Sequence, residues 1–478
     1  MRSLSIRSFC SCLARHSALF VARDRLGRRS LLAARNAEGC GVASVGSASW
    51  SELPVSGLFV FLLEDRSVRQ LPWQQPAPFG QPWWWTEATA FSAPSCFARV
   101  LREAVARRVS HVAEGTRVGV LFSGGLDSTV LAALAAEHCD SVELINVAFD
   151  GKAPDRLTAL RSYEDLVKRY GAERFRLILA DASLEEVLAE EQKICRLLGP
   201  KASHLDFNIA AALWFAARGR GLVCSPDFIQ APWWTPSLEA VQLEPPRQPK
   251  VTEKLSCKSC VLPAKPGCAF ESCKLCCRKL HRAAGEPREW CPVHVKIEAA
   301  PLEELDLSAR RCAQAPEVRA ACRVLLVGTG ADELLGGYSR HRTARAKRGV
   351  EGTRLEMMKD LERLWTRNLG RDDRIISDHG REARHPFLDD HFLDFVGRLP
   401  IELLAYGPKG EADPAPDKWM LRELAVDLGL EACAQFKKRA IQFGTRMAKQ
   451  SNVQHAGSNR QVRGDMAYCA LSEEKRDC

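Results

Sequence analysis

Residues 123–128, Ser-Gly-Gly-Leu-Asp-Ser, follow a short apolar run (117–122) and precede a stretch with helical spacing. The two glycines can take positive φ and let backbone N–H groups approach a ligand closely. Ser123 and Ser128 add hydroxyl donors, and a helix starting here directs its positive end at the loop. Such a nest suits a pyrophosphate. Asp127 is badly placed to touch phosphate but well placed to hold a Mg²⁺ that bridges to it. The loop is neither a G-x-x-x-x-G-K-[ST] nor a G-x-G-x-x-G sequence. Its strand–loop–helix context predicts ATP held by its phosphates.

A second group of residues could do a different chemistry. Cys257-x2-Cys260, Cys268, Cys273-x2-Cys276-Cys277 and Cys291-x2-His294 fall within one short stretch. Paired C-x2-C and C-x2-H knuckles are how short loops aim thiolates at tetrahedral Zn²⁺. Seven cysteines and His294 make eight ligands, enough for one or two structural zinc ions, with His281 as a substitute. Little apolar sequence surrounds them, so metal would supply the folding energy. Iron–sulfur clusters rarely recruit such closely paired knuckles together with His. Lys258, Lys274, Arg278, Lys279 and Arg282 lie between the ligands. They fit a nucleic-acid or acidic-protein surface, and equally the solvation of a small zinc module.

The whole chain has 478 residues, 46% hydrophobic and 27% charged, ordinary for a globular protein of two or three domains. Its net charge of +9 is uneven: residues 247–296 hold 11 Lys/Arg against 4 Asp/Glu. Nineteen cysteines without a secretory signal point to reduced thiols or metal ligands in the cytoplasm. The acid-free, Arg/Ser-rich residues 1–23 also suit a mitochondrial transit peptide. No apolar run is long enough to cross a bilayer, so no membrane association is expected.

Several elements must position the loop. Residues 18–32 read as strand–turn–strand, and 57–71 continue in that β style. Residues 72–95 hold five prolines and a Trp run, which reads as a linker. From 99 the pattern alternates: a helix, strand 117–122, a helix, strand 142–149, a helix at 154–171 opened by Pro154, another strand, then helices at 184–198 and 206–218. Alternation of this kind means a parallel sheet with crossover helices. It stops over 225–322, which reads as an insertion, and resumes at strand 323–328. Residues 329–447 read as mostly helical, and the polar tail after 450 as mobile.

The loop resembles the signature of the ATP pyrophosphatases. "LLVGTGADELLGGYSRHR" (325–342), "DRIISDHGREARHPFLD" (373–389), "DKWMLRELAVDLGL" (417–430) and "KKRAIQFG" (437–444) resemble motifs of the asparagine synthetase family. The resemblance implies an α/β fold. It has a parallel-sheet ATP pyrophosphatase (adenine nucleotide alpha hydrolase-like) domain in two parts, 99–224 and 323–447. Residues 1–75 would be an all-β remnant of a class II glutamine amidotransferase domain, 76–98 a linker, and 448–478 a tail. The insertion at 225–322 carries the Cys-rich module (257–294).

The resemblance also implies the chemistry: adenylation of an aspartate carboxyl by ATP, release of pyrophosphate, and displacement of AMP by ammonia. It assigns Ser123, Gly124, Gly125, Asp127 and Ser128 to pyrophosphate and Leu121, Val147 and Gly328 to the nucleotide. Asp127 and Asp332 would hold Mg²⁺. The transition-state lysine would be Lys438, or Lys437 one position earlier.

Two departures stand out. The family's glutamate between the two glycines of the 328–330 loop is Thr329 here, and a hydroxyl cannot replace a carboxylate in proton transfer. Met1 is followed by Arg2 rather than the cysteine of a glutaminase, so no glutamine hydrolysis is expected. A degenerate ATP- or partner-binding protein and an RNA-modifying ATP pyrophosphatase with a zinc module therefore stand as alternatives.

Overall fold

The computed structural model describes residues 11–15, 18–35, 40–47, 49–62, 64, 67–73, 87–112, 116–200, 202–224, 308–309, 317–406, 417–456 and 464–468. The chain divides into one unit made of Met1–Gln230 with Leu307–Cys478 and a second made of Ala231–Asp306. The second unit lies outside the described residues, and the expected zinc ligands Cys257, Cys260, Cys268, Cys273, Cys276, Cys277, Cys291 and His294 lie there with it.

The first unit opens with β-structure, as its β-branched and aromatic alternation predicts. Strands β1 (Ser11–Arg15), β2 (Ala18–Ala22), β6 (Gly57–Leu62) and β7 (Val68–Pro72) pair antiparallel in that spatial order. Strand β3 (Leu32–Arg35) pairs with β4 (Cys40–Ala43) and with β5 (Ser51–Glu52) in a small second sheet. Val21, Leu31, Leu53, Phe59 and Phe61 form the core of this part.

Helix α1 (Glu87–Val109) starts twelve residues before the helix expected from 99, with Pro94 inside it. A proline in a helix interior normally breaks it. Here the buried Ala93, Phe97 and Leu101 anchor both sides of Pro94, and the Phe97 ring meets Phe392 edge-on at 5.4 Å.

Seven strands make the central sheet, in the order β12 (Glu317–Arg319), β11 (Arg220–Val223), β10 (Phe175–Asp181), β9 (Val142–Ala148), β8 (Val118–Leu121), β13 (Val324–Leu326) and β14 (Glu382–Arg384). The five strands from β10 to β14 are parallel, while β11 and β12 run antiparallel at one edge. Strand β12 lies within the expected insertion and β14 within the expected helical half. Both are three-residue edge pieces, too short to show a period of two.

Both faces of the sheet are covered, as an all-parallel core requires. The sheet's Ile145, Val147, Ile178 and Leu325 pack with α4 (Leu184–Ala189), α5 (Glu191–Leu198), α6 (His204–Arg218) and α9 (Gly370–Ser377). Asn146, between two of those residues on β9, points the other way. It donates to the carbonyls of Phe122 (2.9 Å) and Asp155 (3.2 Å) and accepts from Arg156 Nε (2.7 Å). That bonding ties the sheet to α3 (Pro154–Tyr170), beside which α2 (Leu126–Ala136) packs.

Further helices follow β13. These are α7 (Ala331–Leu334), α8 (Ser339–Leu364), a π-helical turn (Trp365–Leu369) that leads into α9, and α10 (Asp390–Val396). The chain closes with α11 (Trp419–Asp427), α12 (Glu431–Gln435), α13 (Ile441–Gly444) and α14 (Met447–Ala456). The described part of the tail docks rather than roams: Tyr468 is buried and stacks on Phe207 at 4.2 Å. Among the described residues no helix is long and apolar enough to cross a membrane.

Candidate active site

The strand order places the site. From β8 the chain moves outward through β9 to β10, and it later returns to the other side of β8 as β13. Loops leaving the carboxyl ends of β8 and β13 therefore face one crevice at a switch point, where open α/β sheets bind ligands. The first of those loops carries residues 123–128 and the second carries Gly328–Asp332.

The first loop is fixed by hydrogen bonds to its own carbonyls. Thr158 Oγ1 donates to the Ser123 carbonyl (2.8 Å), Ser162 Oγ to that of Gly124 (2.7 Å), and Thr129 Oγ1 to that of Gly125 (2.9 Å). Gly124 has φ +70°, and a Cβ there would lie 2.2 Å from the Ala159 amide nitrogen, so α3 passes directly behind it. Gly125 caps α2 without a side chain, which leaves the first-turn N–H groups of that helix for a ligand. Ser123 and Ser128 place their hydroxyl oxygens 3.3 Å apart.

In the second loop the adjacent acids Asp332 and Glu333 point to different partners. Glu333 turns back to accept from the Gly330 N–H (3.2 Å) and from Tyr338 Oη (2.6 Å), so it holds the turn. Asp332 instead points at two lysines. Lys438 Nζ donates to its Oδ2, and Lys418 Nζ lies 2.7 Å from its Oδ1. The same Lys418 nitrogen lies 2.6 Å from both oxygens of Asp127. Gly337 makes room for this contact, since a Cβ on it would sit 2.2 Å from Asp332 Oδ1.

Burial works against ionising Asp332, but Lys418 and Lys438 outweigh it and hold the carboxyl well below its usual range. Burial likewise opposes the Lys418 charge, and Asp127 and Asp332 overcome it and raise the lysine. Asp155, at the start of α3, behaves differently. Burial pushes its carboxyl up to about 7, with Arg439 and Lys438 pulling back only in part. Arg439 Nη1 stands 3.7 Å from it.

A cavity of about 570 Å³ gathers these residues. Leu121, Ser123, Asp127, Ser128, Val147, Gly328, Asp332 and Lys438 all line it, as does Thr329. Gly125, Lys437 and Lys418 border a smaller adjoining space of about 70 Å³. Gly124 lines neither and serves as the contact with α3. The motif residues Glu382, Arg384 and Asp389 stand outside. Asp389 caps α10 and accepts from Arg107 Nη2 (2.6 Å), while Arg384 donates to the Arg108 carbonyl (2.6 Å) and pairs with Glu382.

The Asp127–Asp332 pair suits a divalent cation, since two carboxylates converge on one cationic group. Lys418 is the member of the site that sequence reasoning missed. A lysine just before the apolar Trp419–Met420–Leu421 reads as helix-start surface, yet it is buried, and it holds a left-handed φ of 56°. That conformation costs a side-chain residue roughly 1–2 kcal/mol, which its two carboxylate contacts offset.

The asparagine synthase family model matches residues 97–198 and 345–457. The chain is 28% identical over 392 residues to asparagine synthetase domain-containing protein 1 of Homo sapiens, covering 72% of this chain and 47% of that protein. The corresponding protein of Gallus gallus is 29% identical over 425 residues, covering 75% and 53%. An asparagine synthetase domain-containing protein of Saccharomyces cerevisiae is 25% identical over 465 residues, covering 91% and 69%. The chain spans about half the length of the vertebrate relatives it matches. The chain has a mixed α/β fold around a parallel-stranded sheet, and the two stretches that bracket the insertion are similar to the asparagine synthase family.

Proposed function

We propose that this protein is an ATP-dependent amide ligase that activates a carboxylic acid as its acyl-adenylate and transfers it to ammonia or another amine. The observation that carries the proposal is the convergence of Asp127, Asp332, Lys418 and Lys438 at the mouth of the Ser123–Ser128 loop. In this reading the 123–128 loop and the α2 N-terminus bind the pyrophosphate part of ATP, and Leu121, Val147 and Gly328 bound the nucleoside. Asp127 and Asp332 would hold Mg²⁺, which, when bound, neutralises phosphate charge. Lys438 meets the negative charge that grows on the α-phosphate as the carboxylate attacks, a charge best stabilised by groups already in place. Lys418 holds Asp127 and Asp332 in register until ATP arrives, and Lys437 borders the smaller space beside the loop.

The fold reading that goes with this is an ATP pyrophosphatase-like domain preceded by an amidotransferase-like β-part. Aspartate is the acid that the family likeness suggests. The 257–294 zinc module, with a basic surface for nucleic acid or an acidic protein, belongs to the same proposal and rests on residue spacing.

The test is release of AMP and pyrophosphate from Mg-ATP by the full chain with acid and ammonia, run beside Asp127→Ala. Release that depends on the acid and disappears in the variant supports the ligase. Thr329 favours a second reading, an ATP-binding protein without synthesis: ATP bound in the wild type and weakened by Asp127→Ala, with no AMP formed, would select it.

A further inference from the structure

Arg363, Arg367 and Arg371 recur every four residues through the end of α8, the π-helical turn and the start of α9, and all three line the large cavity. Arg371 is buried and committed, 2.9 Å from Asp206 and 2.8 Å from Asp372. Arg363 and Arg367 are exposed at the cavity rim, and among the described residues neither guanidinium has an ion-pair or hydrogen-bond partner. π-Helical turns inside helices are frequent at functional sites.

The acids of the cavity are in the opposite condition. Asp127 and Asp332 share Lys418, and Asp360 is held by Arg340 (2.7 Å) and His341 (2.8 Å). Asp206 and Asp372 hold Arg371, Glu333 accepts from Tyr338, and Asp155 stands near Arg439. A ligand entering beside the nucleotide thus meets, among the described residues, two guanidinium groups without partners, whereas every cavity carboxylate already has a hydrogen-bond or ion-pair partner. Thr329 adds only a neutral hydroxyl. An ammonium group placed there would be desolvated without a counter-charge, whereas a carboxylate can take paired bonds from a guanidinium fork.

We propose that Arg363 and Arg367 receive the remote anionic end of the acyl substrate, which is a polycarboxylic acid without a free ammonium beside the carboxyl that reacts. The inference rests on the ligase reading and narrows its substrate class away from a free amino acid. Arg363 and Arg367 set specificity in it, and they act after the nucleotide loop has positioned ATP.

The experiment is calorimetric titration of the full chain with succinate, tricarballylate and L-aspartate, each with and without α,β-methylene-ATP. Three proteins are compared: wild type, R363Q/R367Q, and K347Q/K359Q, which removes the same charge from α8 outside the cavity. The wild type is expected to bind succinate and tricarballylate about ten-fold tighter than aspartate, and R363Q/R367Q to lose about ten-fold for both acids while K347Q/K359Q does not. Equal affinity of wild type and R363Q/R367Q for tricarballylate, equal losses in the two double variants, or tighter binding of aspartate than succinate would each overturn the proposal. Absence of α,β-methylene-ATP binding by the wild type overturns the ligase reading instead. It is seen in its own titration, and the acid titrations without nucleotide still decide what the arginines do.

Discussion

Asp127 and Asp332 come from opposite halves of the chain and share one ammonium group, that of Lys418, at 2.6 and 2.7 Å. The pairing joins the loop after β8 to the loop after β13 across the crevice. Removing the lysine leaves two carboxylates facing each other with Lys438 alone to compensate. We expect Lys418→Met to lose about 3 kcal/mol of stability, and Mg²⁺ to restore more of it in the variant than it adds to wild type. Urea unfolding with and without Mg²⁺ checks this, and an identical response of the two proteins would count against a shared cation site.

Lys438 reaches Asp332 Oδ2, Lys418 reaches Oδ1, and Lys438 lines the main cavity. If it stabilises charge only as adenylation proceeds, Lys438→Met should lower kcat for pyrophosphate release by about 10²–10³. The KM for ATP should move little. A large rise in KM with kcat unchanged would make Lys438 a ground-state binding residue.

Thr329 lines the cavity and offers it a neutral hydroxyl. Thr329→Glu should shift the preference among acids toward aspartate relative to succinate by about ten-fold, read by competition in the AMP-release assay. An unchanged ratio would place residue 329 away from the acyl substrate.

The Asp155 carboxyl sits near 7 in the folded protein against an ordinary value of 3.8. The folded state therefore holds a proton that the unfolded chain gives up, and stability falls as pH rises from about 4 to 7. Asp155→Asn mimics the protonated form and removes this loss. Its stability advantage over wild type should grow by roughly 4 kcal/mol across that window. Urea midpoints at pH 4 to 8 measure it, and a flat difference would mean that Asp155 is ionised throughout.

Much of this site was readable from the sequence because its parts are local. The 123–128 loop announces itself by glycines between a strand and a helix, and Leu121, Val147 and Gly328, which the family resemblance names, line the same cavity. Lys418 and Asp155 gave no such signal, since what makes them unusual is a partner nearly three hundred residues away or burial that composition does not show. Asp332 and Glu333 are adjacent acids that residue type alone does not separate, and only the family resemblance names Asp332. Only the turn geometry sends one to Tyr338 and the other to the lysines. The short β12 and β14 escaped for a related reason, because three residues at a sheet edge are recruited by the neighbouring strand rather than specified by their own pattern.

Strands β11 and β12 bracket the insertion and pair with each other, Leu222 opposite Glu317. To the central sheet, everything between them is therefore the turn of one hairpin, however much protein it contains. Loop closure grows only logarithmically with length, so the long excursion costs roughly 3 kcal/mol more than a four-residue turn would. An edge built this way is a docking port in the genetic sense: material can be added, exchanged or lost there while the crevice at the far end of β8 and β13 keeps its geometry.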